Sequence, residues 1–234
     1  MAKIRTFLAL MFIAITTLLL VPLQLISMKI GLWRETVILK IWHKAVLKML
    51  GIRVHVTGAL SSERPLLVAA NHVSWTGISV LGSMSDVRFI AKADMAGWPL
   101  IGFLSKLQRT VFIERERKRK SGDQASEIAG RLANGDAMVL FAEGTTGDGN
   151  MVLPFKSTLF GAAAMAISGG GAEEVFVQPV AIAYTRLHGL PLGRRHRSHA
   201  AWIGDQDLVP HVKDLLAEGA LDVEVHFGEP VAFS

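Results

Sequence analysis

Short apolar runs, separated by segments with helical periodicity, recur along the chain after residue 51. Runs of this length suit strands buried in a sheet, and strands that alternate with helices are typical of proteins built on a parallel sheet. The sequence therefore predicts the α/β class, with a mostly parallel central sheet flanked by helices. The predicted strands are Ile52–Thr57, Leu66–Ala70, Val87–Ala91, Thr110–Ile113, Ala137–Ala142, Val175–Tyr184, Ala200–Ile203 and Val223–Phe227.

The first strand and one of the helices have clear local signals. Apolar and polar residues alternate through Ile52–Thr57, as in a strand with one buried face. Ser121 and Gln124 form a capping box and Asn134-Gly135 is a stop signal, so we predict a helix over residues 122–134. The chain is thus expected to contain one globular domain over residues 51–234, preceded by an N-terminal membrane module over residues 1–50.

The twenty residues of Phe7–Ile26 contain no charged side chain. A helix of that length is about 30 Å long, which matches the hydrocarbon layer of a bilayer. No small-x-small cleavage site follows, so we expect a retained membrane helix rather than a cleaved signal peptide. Pro22, Lys29 and Arg34 leave two geometries open: a helix that spans the membrane, and one that enters it and returns to the same side.

The next segment, Trp33–Leu50, has the pattern of a basic amphipathic helix. Lys40, Lys44 and Lys48 recur every four residues, and apolar residues occupy the opposite face. We interpret this helix as lying among lipid headgroups; the alternative is a surface helix packed on the protein core. The apolar positions are Ile38, Ile41, Trp42, Ala45, Val46 and Met49.

The composition fits contact with lipid. Half of the residues are hydrophobic (50%) and the mean hydropathy is +0.37, which is high for a soluble protein. The net charge of +5 favours anionic partners, and membrane lipids fit better than nucleic acid because the sequence contains no nucleic-acid recognition module. The absence of cysteine excludes disulfides and thiolate metal sites, and it is consistent with a reducing compartment.

The segment Asn71-His72-Val73-Ser74-Trp75-Thr76-Gly77 connects a predicted strand to an apolar segment that begins at Ile78. A histidine at a strand end is held rigidly enough to act as a general base. We expect free N–H groups at the start of the following helix, where they would stabilise developing negative charge. The alternative is a loop histidine with a structural role.

Three further segments follow in order: Val111-Phe112-Ile113-Glu114-Arg115, Phe141-Ala142-Glu143-Gly144-Thr145-Thr146 and Val177-Gln178-Pro179-Val180. Together the four segments resemble the motifs of the lysophosphatidic acid acyltransferase family of glycerolipid acyltransferases. In that family the first motif reads Asn-His-x-Ser-x-x-Asp and the third reads Phe-Pro-Glu-Gly-Thr-Arg. Two positions differ in this chain, because Gly77 replaces the motif aspartate and Thr146 replaces the motif arginine.

The resemblance implies that residues 51–234 form an acyltransferase domain in which His72 removes the proton of a lysolipid hydroxyl. A carboxylate on the second ring nitrogen normally fixes the tautomer of such a base, and weakening that partner in a serine protease costs about 10⁴-fold in turnover. Gly77 cannot supply this carboxylate. Three explanations are open: an engineered inactivation, a natural loss that leaves a lipid-binding protein, and rescue by a carboxylate from elsewhere in the chain.

The resemblance also implies an acceptor site. Arg115 is expected to bind a phosphate or carboxylate, and Glu143 is expected to hold the acceptor. The basic run over residues 117–120 is either a solvated charge cluster or a surface for anionic lipid or carrier protein. The other candidate binding residues are Asn71, Trp75, Lys92, Gly144, Thr145, Thr146, Asp148 and Lys156.

The local sequence resembles the lyso-ornithine-lipid acyltransferase branch of the family, notably at Leu153-Pro154-Phe155-Lys156 and Trp202-Ile203-Gly204-Asp205. Thr146 removes a cation and Asp148 adds an anion, which favours an acceptor with an ammonium or another amino-acid headgroup over a phosphate. The implied donor is a thioester of acyl carrier protein or coenzyme A, and no cofactor is expected. The implied location is the cytoplasmic side of a bacterial-type inner membrane.

Three other kinds of site are disfavoured. Gly144 and Gly149 have the spacing of a phosphate loop, but Asn150 and Met151 replace the required Lys and Ser/Thr. The two histidines within Arg194-Arg195-His196-Arg197-Ser198-His199 have no neighbouring carboxylates, so we expect a basic loop facing the membrane or the donor rather than a metal site. A serine hydrolase is disfavoured because the sequence lacks a Gly-x-Ser-x-Gly elbow.

Overall fold

The computed structural model describes residues 2–31, 35–113, 121–156, 160–169, 172–204 and 206–234. Within these residues the α-helices are α1 (Ala2–Ile30), α2 (Glu35–Leu50), α3 (Thr76–Met84), α4 (Ile101–Leu107), α5 (Ser121–Ala133), α6 (Gly161–Ser168) and α7 (Leu208–Glu218). The strands are β1 (Ile52–Thr57), β2 (Leu66–Ala70), β3 (Arg88–Lys92), β4 (Val111–Ile113), β5 (Ala137–Phe141), β6 (Val175–Leu187), β7 (Leu190–Pro191), β8 (Leu221–Phe227) and β9 (Val231–Phe233). Short 3₁₀ helices cover Ala93–Gly97 and Arg197–His199.

The described strands form one sheet in the order β1-β8-β6-β2-β5-β3-β4, and β7 and β9 also pair with β6. Strands β2 to β6 run parallel to one another, whereas β8 and its parallel neighbour β1 are antiparallel to β6. All residues of β2 and β5 are buried, as expected for parallel strands covered on both faces. The predicted α/β class and mostly parallel sheet are confirmed.

Side chains of successive strand residues point to opposite faces of the sheet, and the core is divided accordingly. On the first face, residues such as Val68 of β2 pack beneath α2, α3 and α7. On the second face, residues such as Leu67 pack beneath α5 and α6. No helix of the described residues covers part of the second face, and there Pro179, Ala181 and Ala183 of β6 are exposed. We call this region the open face.

Both ends of α1 contact the globular domain. Near its N-terminus, Arg5 Nε donates a hydrogen bond to the Leu216 carbonyl at the C-terminal end of α7 (3.0 Å). Near its C-terminus, Gln24 Nε2 donates to the Leu107 carbonyl at the end of α4 (3.1 Å). Its outward side presents apolar side chains such as Leu18, which is 75% exposed. Lys3–Ile30 is long and apolar enough to cross a membrane, as judged by length and composition.

The buried face of α2 differs in part from the predicted one. Val46 is buried as expected, but Ile41 is half exposed and His43 is buried in its place. α2 approaches α3 closely at Gly82, where an added Cβ would lie 2.5 Å from His43 Cδ2, and this close contact brings the histidine into the interface. One face of α2 therefore packs on the core, and Lys44 on another face is exposed.

The other differences from the predicted elements are local. The prediction of a strand over Ala200–Ile203 is wrong, because this apolar segment follows a 3₁₀ helix and packs as a loop; its Trp202 N–H donates to the Val73 carbonyl (3.0 Å). β7 and β9 were not predicted, since two or three residues carry too little periodicity to be recognised. The helix predicted over residues 122–134 is α5, shifted by one residue. The division into modules at residue 51 stays a prediction.

Candidate active site

The first and third motif segments meet because β2 and β5 are parallel neighbours. Ala70 pairs with Phe141 at the C-terminal ends of the two strands, and Ala142 N donates to the Ala70 carbonyl (3.0 Å). The residues that follow each strand therefore lie side by side. His72 N donates a hydrogen bond to Glu143 Oε2 at 2.9 Å. The two motifs are thus joined by a direct hydrogen bond.

Glu143 is buried, and its side chain is only 2% exposed. Its Oε2 accepts from the backbone N–H of His72, and its Oε1 accepts from the backbone N–H of Leu153 (2.8 Å). A carboxylate that accepts two backbone hydrogen bonds fixes the segments that donate them. Glu143 therefore braces the histidine segment against the loop after β5. Its expected contact with the acceptor stays a prediction.

The imidazole of His72 lies against Phe141, the last residue of β5. The two rings are stacked, with centroids 4.0 Å apart and planes at 21°. The His72 carbonyl accepts from Gly147 N (2.8 Å), so the backbone of the histidine is held on both sides by the third motif. Backbone and ring contacts together orient His72, as a general base requires.

Asn71 joins this assembly to β6, which contains the fourth motif. Asn71 Nδ2 donates to the Ile182 carbonyl (3.0 Å), and Asn71 Oδ1 accepts from Ile182 N (2.7 Å). The side-chain amide thus replaces one pair of sheet hydrogen bonds beyond the end of β2. This arrangement gives Asn71 a positioning role, and its predicted contact with substrate stays a prediction.

The start of α3 differs from the expectation of free N–H groups. Gly77 N donates to the Ser74 carbonyl (3.0 Å) and Ile78 N donates to the Trp75 carbonyl (3.1 Å). The prediction that these two groups are available to an oxyanion is therefore wrong. The physical reason is that the loop enters the helix through a tight turn, in which i to i+3 hydrogen bonds satisfy the first donors.

The side chains of the first motif are packed into the first face of the sheet. Trp75 Nε1 donates to His211 Nδ1 of α7 (3.0 Å), and burial lowers the pKa of His211. The hydroxyl groups of Thr76 and Tyr184 are hydrogen-bonded, and burial raises the pKa of Tyr184 to about 12. Ser74, 1% exposed, lies in the turn before α3. These contacts attach the motif to α7 and β6.

Gly77 has room for a side chain. A Cβ added there would lie 3.7 Å from Ile182 Cδ1 and 3.8 Å from Phe141 Cε1, which are ordinary van der Waals distances. The same Phe141 ring stacks on His72. An aspartate at position 77 would therefore begin beside the ring that supports the imidazole, without displacing the backbone.

The loop after β5 carries several predicted binding residues. Gly144 has a positive φ of 72°, a backbone conformation that glycine adopts without strain in a tight turn. Thr145 is exposed, and Thr146 is partly buried. Asp148 accepts hydrogen bonds from Asn150 N and Nδ2, both at 2.9 Å, and the bond from the Asn150 side chain lowers the pKa of Asp148. An ionised Asp148 is therefore fixed in this loop.

The predicted cations are distributed unevenly. Lys92, at the end of β3, pairs with Asp94 (2.6 Å) and is half exposed. The Lys156 side chain is exposed, while its backbone N donates to the Ala142 carbonyl (2.9 Å). Arg115 and the basic run over residues 117–120 lie outside the described residues. Their expected roles stay predictions.

The sequence did not reveal that the segment around residue 197 contacts the histidine motif. Besides the bond between Trp202 N and the Val73 carbonyl, Arg197 Nη1 donates to the Gly149 carbonyl (3.1 Å). In the sequence, only the high charge of this segment suggested a function, and charge does not identify a partner.

Among the described residues no group of three or more His, Cys, Asp or Glu side chains could hold a metal ion.

Comparisons with known proteins agree with this arrangement. A family model described as acyltransferase matches residues 51–183. The lyso-ornithine lipid O-acyltransferase of Brucella abortus is 50% identical over 97% of this chain and 85% of that protein. The protein of the same name from Rhizobium meliloti is 48% identical over 98% of this chain and 79% of its own length. The crystal structure of the 1-acyl-sn-glycerophosphate acyltransferase from Thermotoga maritima, 22% identical, has a similar fold, with a TM-score of 0.64 over 99% of this chain and 87% of that chain.

Proposed function

The chain belongs to the acyltransferase family, and from this premise we propose that it transfers a fatty acyl group from a thioester donor to a hydroxyl of a lyso-ornithine lipid or a related amino-acid lipid. The proposal is supported by two relatives with that named activity, about half identical over nearly the whole chain. The observation that carries it is the 2.9 Å hydrogen bond by which Glu143 holds the backbone of His72 at the meeting point of the motifs.

The reaction needs a base, an acceptor hydroxyl and an acyl thioester. His72 removes the hydroxyl proton while the hydroxyl oxygen attacks the thioester carbonyl carbon. The tetrahedral oxyanion then collapses, the carbon–sulfur bond breaks, and the released thiolate takes the proton from His72. The acceptor itself is the nucleophile, so no side chain of the enzyme needs to be acylated.

Gly77 is expected to slow this reaction. Without the motif carboxylate, the tautomer and charged form of His72 lose a stabilising partner. Weakening the corresponding carboxylate of a serine protease lowers turnover about 10⁴-fold, and a similar loss of turnover is expected here. The carboxylates of the third motif and of the loop after it are engaged elsewhere: Glu143 with two backbone N–H groups and Asp148 with Asn150. This observation favours loss of activity over rescue, and it keeps an inactive lipid-binding protein of the same fold as the second candidate.

We further infer that α1 lies within one leaflet of a membrane rather than across it. It contacts the same domain at Arg5 and at Gln24, which lie about 28 Å apart along the helix axis. Its outward side exposes apolar residues, which suits burial among acyl chains. The lysine row of α2 would then lie near the headgroups. We place the domain on the cytoplasmic side, where acyl carrier protein and coenzyme A thioesters are found.

An acyl-transfer assay separates the two candidate functions. The full chain and its Gly77→Asp variant, reconstituted in vesicles, are given a labelled acyl thioester with either lyso-ornithine lipid or lysophosphatidate. The expected result is slow acylation of lyso-ornithine lipid by the natural chain and an increase of up to about 10⁴-fold in the variant. Lipid binding without product from either protein would instead support the inactive binding protein.

The acceptor headgroup is tested at position 146. Thr146→Arg restores the cation that the motif of the wider family carries at this position, close to Asp148. A shift in acceptor preference towards lysophosphatidate is expected, because an added guanidinium attracts a phosphate dianion more strongly than a zwitterionic amino-acid headgroup. Unchanged preference would contradict the proposed role of this loop in headgroup selection.

A further inference from the structure

An apolar segment lies exposed where the 3₁₀ helix Ala93–Gly97 is connected to α4. Leu100 is 64% exposed, and Trp98, Pro99 and Phe103 are exposed beside it. Single apolar side chains are common on protein surfaces, but several large ones together mark a surface that binds a partner or a membrane. We call residues 98–103 the apolar turn.

The backbone of the apolar turn is strained. Leu100 has a φ of 61° and a ψ of −54°, and Ile101 N donates a hydrogen bond to the Pro99 carbonyl (2.7 Å). These dihedral angles and this hydrogen bond define a γ-turn of the rare, strained form. A leucine adopts such a conformation only where the surrounding structure enforces it.

The packing of α4 on the 3₁₀ helix enforces the strained turn. Gly102 N donates to the Trp98 carbonyl (2.9 Å). A Cβ added at Gly102 would lie 2.3 Å from the Ala96 carbonyl oxygen, so the two backbones are in direct contact. The turn therefore presents Leu100 to solvent from a rigid support. Strain of this kind is concentrated at sites that bind a ligand, because burial of the exposed leucine within the chain does not offset it.

The apolar turn lies beside the segment that holds the candidate base. Trp98 makes an edge-to-face contact with Trp202, with ring centroids 6.4 Å apart and planes at 84°. Trp202 N in turn donates to the carbonyl of Val73, the residue after His72. Ile203, the next residue, is exposed and apolar. A partner bound to the apolar turn therefore lies at the edge of the sheet that carries the base.

The apolar turn is also connected to α1. The hydrogen bond from Gln24 of α1 reaches the carbonyl of Leu107 at the end of α4, and α4 begins within the turn. Leu25, next to Gln24, belongs to the exposed apolar side of α1. Lys106 is exposed three residues after Phe103, and a cation at this position suits anionic headgroups. The apolar surface of α1 thus extends to the helix that carries Phe103.

We propose that the apolar turn enters the same membrane leaflet as α1, with Leu100 and Phe103 among the acyl chains and Trp98 at the level of the headgroups. Tryptophan is suited to that level because its ring is apolar and its N–H is polar. Two contacts with one leaflet hold the edge that carries His72 against the bilayer, where a lysolipid presents its hydroxyl. The inference rests on the proposed placement of α1.

Two other occupants of an apolar surface are a second copy of this chain and an acyl carrier protein. The membrane is favoured over both because the apolar turn is connected to the apolar side of α1, and because Trp98 and Lys106 suit the interface between headgroups and acyl chains. The other two occupants are outcomes of the test.

Fluorescence quenching by lipid tests the proposal. The chain contains no cysteine, so an introduced cysteine carries the only thiol-linked label. The label is attached at Leu100→Cys in the full chain, bound to phosphatidylcholine and phosphatidylglycerol vesicles with brominated acyl chains. We expect the brominated chains to quench it at a depth of about 5–10 Å into the boundary between headgroups and acyl chains. Phe103→Cys, which leaves the strained residue unaltered, is the second labelled variant and should give the same result.

Two reference positions make the quenching interpretable. Leu18→Cys, on the outward side of α1, should be quenched as strongly as position 100. Ala133→Cys, at an exposed position of α5, lies on the opposite face of the sheet from α1 and should not be quenched. The label at Ala133→Cys therefore measures the background.

The proposal is overturned if the labels at positions 100 and 103 show only the background quenching. It is also overturned if they are shielded only when acyl carrier protein is added, or only at high protein concentration, since the turn would then belong to that partner or to a second copy. Quenching at position 18 alone rejects the apolar turn and leaves the placement of α1 standing, whereas no quenching at any position rejects both. None of these readings requires turnover, so the acyl-transfer assay tests the proposed activity separately.

Discussion

The two faces of the sheet differ most at the C-terminal end of β2. On the first face His72 stacks on Phe141. Trp75 donates a hydrogen bond to His211, and the hydroxyl groups of Tyr184 and Thr76 are hydrogen-bonded to each other. On the open face small side chains such as Ala181 and Ala183 form the floor of a groove of about 440 Å³. Backbone hydrogen bonds and ring stacking hold the candidate base in place on the first face, whereas the open face leaves apolar surface uncovered. The following predictions test that division.

The largest effect is expected at the base itself. In the Gly77→Asp background, where turnover is highest, His72→Gln should reduce kcat by about 10²- to 10⁴-fold, the usual contribution of general base catalysis. Binding of lysolipid should change little, because an amide in place of the imidazole removes the proton acceptor and leaves the backbone contacts of His72 unchanged. A loss confined to KM, with kcat preserved, would contradict the assignment of His72 as the base.

The next effect is expected at Glu143. Glu143→Gln replaces one acceptor oxygen by a donor and leaves a backbone N–H of His72 or Leu153 unpaired, at a cost of about 1–3 kcal/mol in unfolding free energy. Turnover should fall by roughly tenfold or more, because misplacement of a catalytic group is itself costly. Chemical unfolding and acyl-transfer rates measure the two effects. Glu127→Gln, at an exposed position of α5, is the control and should change neither.

A pH effect of about 2 kcal/mol is expected from His43, which is buried between α2 and α3. Burial lowers the pKa of His43 from 6.5 to about 4. The unfolded chain therefore binds the proton first as pH falls, so stability is constant above about pH 6.5 and decreases between pH 6.5 and 4, with about 2 kcal/mol lost at pH 5. Urea unfolding at pH 8 and pH 5 measures this change in the free energy of unfolding. If His43→Gln shows the same pH dependence as the natural chain, His43 is not its source.

The smallest effect is expected in the groove. The apolar lining of this groove suits a hydrocarbon chain of the lysolipid, so Ala181→Leu, which adds bulk to its floor, should raise KM about tenfold, because displacing two buried methylenes costs roughly 0.8 kcal/mol each. The value of kcat should stay unchanged, since the first face is not altered. Ala133→Leu, at an exposed position of α5, is the matched control. A decrease in kcat instead of a rise in KM would mean that the two faces are not independent.

The meeting of the first and third motifs could be predicted because it follows from local patterns. The apolar runs that became β2 and β5 end in Asn71-His72 and Glu143-Gly144, and parallel strands bring their C-terminal residues to one edge. The hydrogen-bond partners of those residues could not be predicted from the same local patterns. The contact of Glu143 with the acceptor stays a prediction, whereas its two backbone N–H partners, His72 and Leu153, are a pairing that nothing in the sequence spacing indicates.

Long-range neighbours were the least predictable. The segment Ala200–Ile203 has the apolarity of a strand, but it is a loop whose Trp202 N–H donates to the Val73 carbonyl instead of to a neighbouring strand. Arg197 looked like one charge among several in a basic loop. Its contact with Gly149 depends on how that loop folds over the end of the sheet.

The sequence by itself determined the α/β class, the order of the motifs, the apolar N-terminal helix and the identity of the candidate base. These features depend on periodicity and residue type, which are local properties of the chain. Only the tertiary structure decided that Glu143 braces His72, that Phe141 supports the imidazole beside the space at Gly77, and that Arg197 reaches the groove. Such contacts join residues far apart in sequence, and they depend on how the sheet and its helices pack against one another.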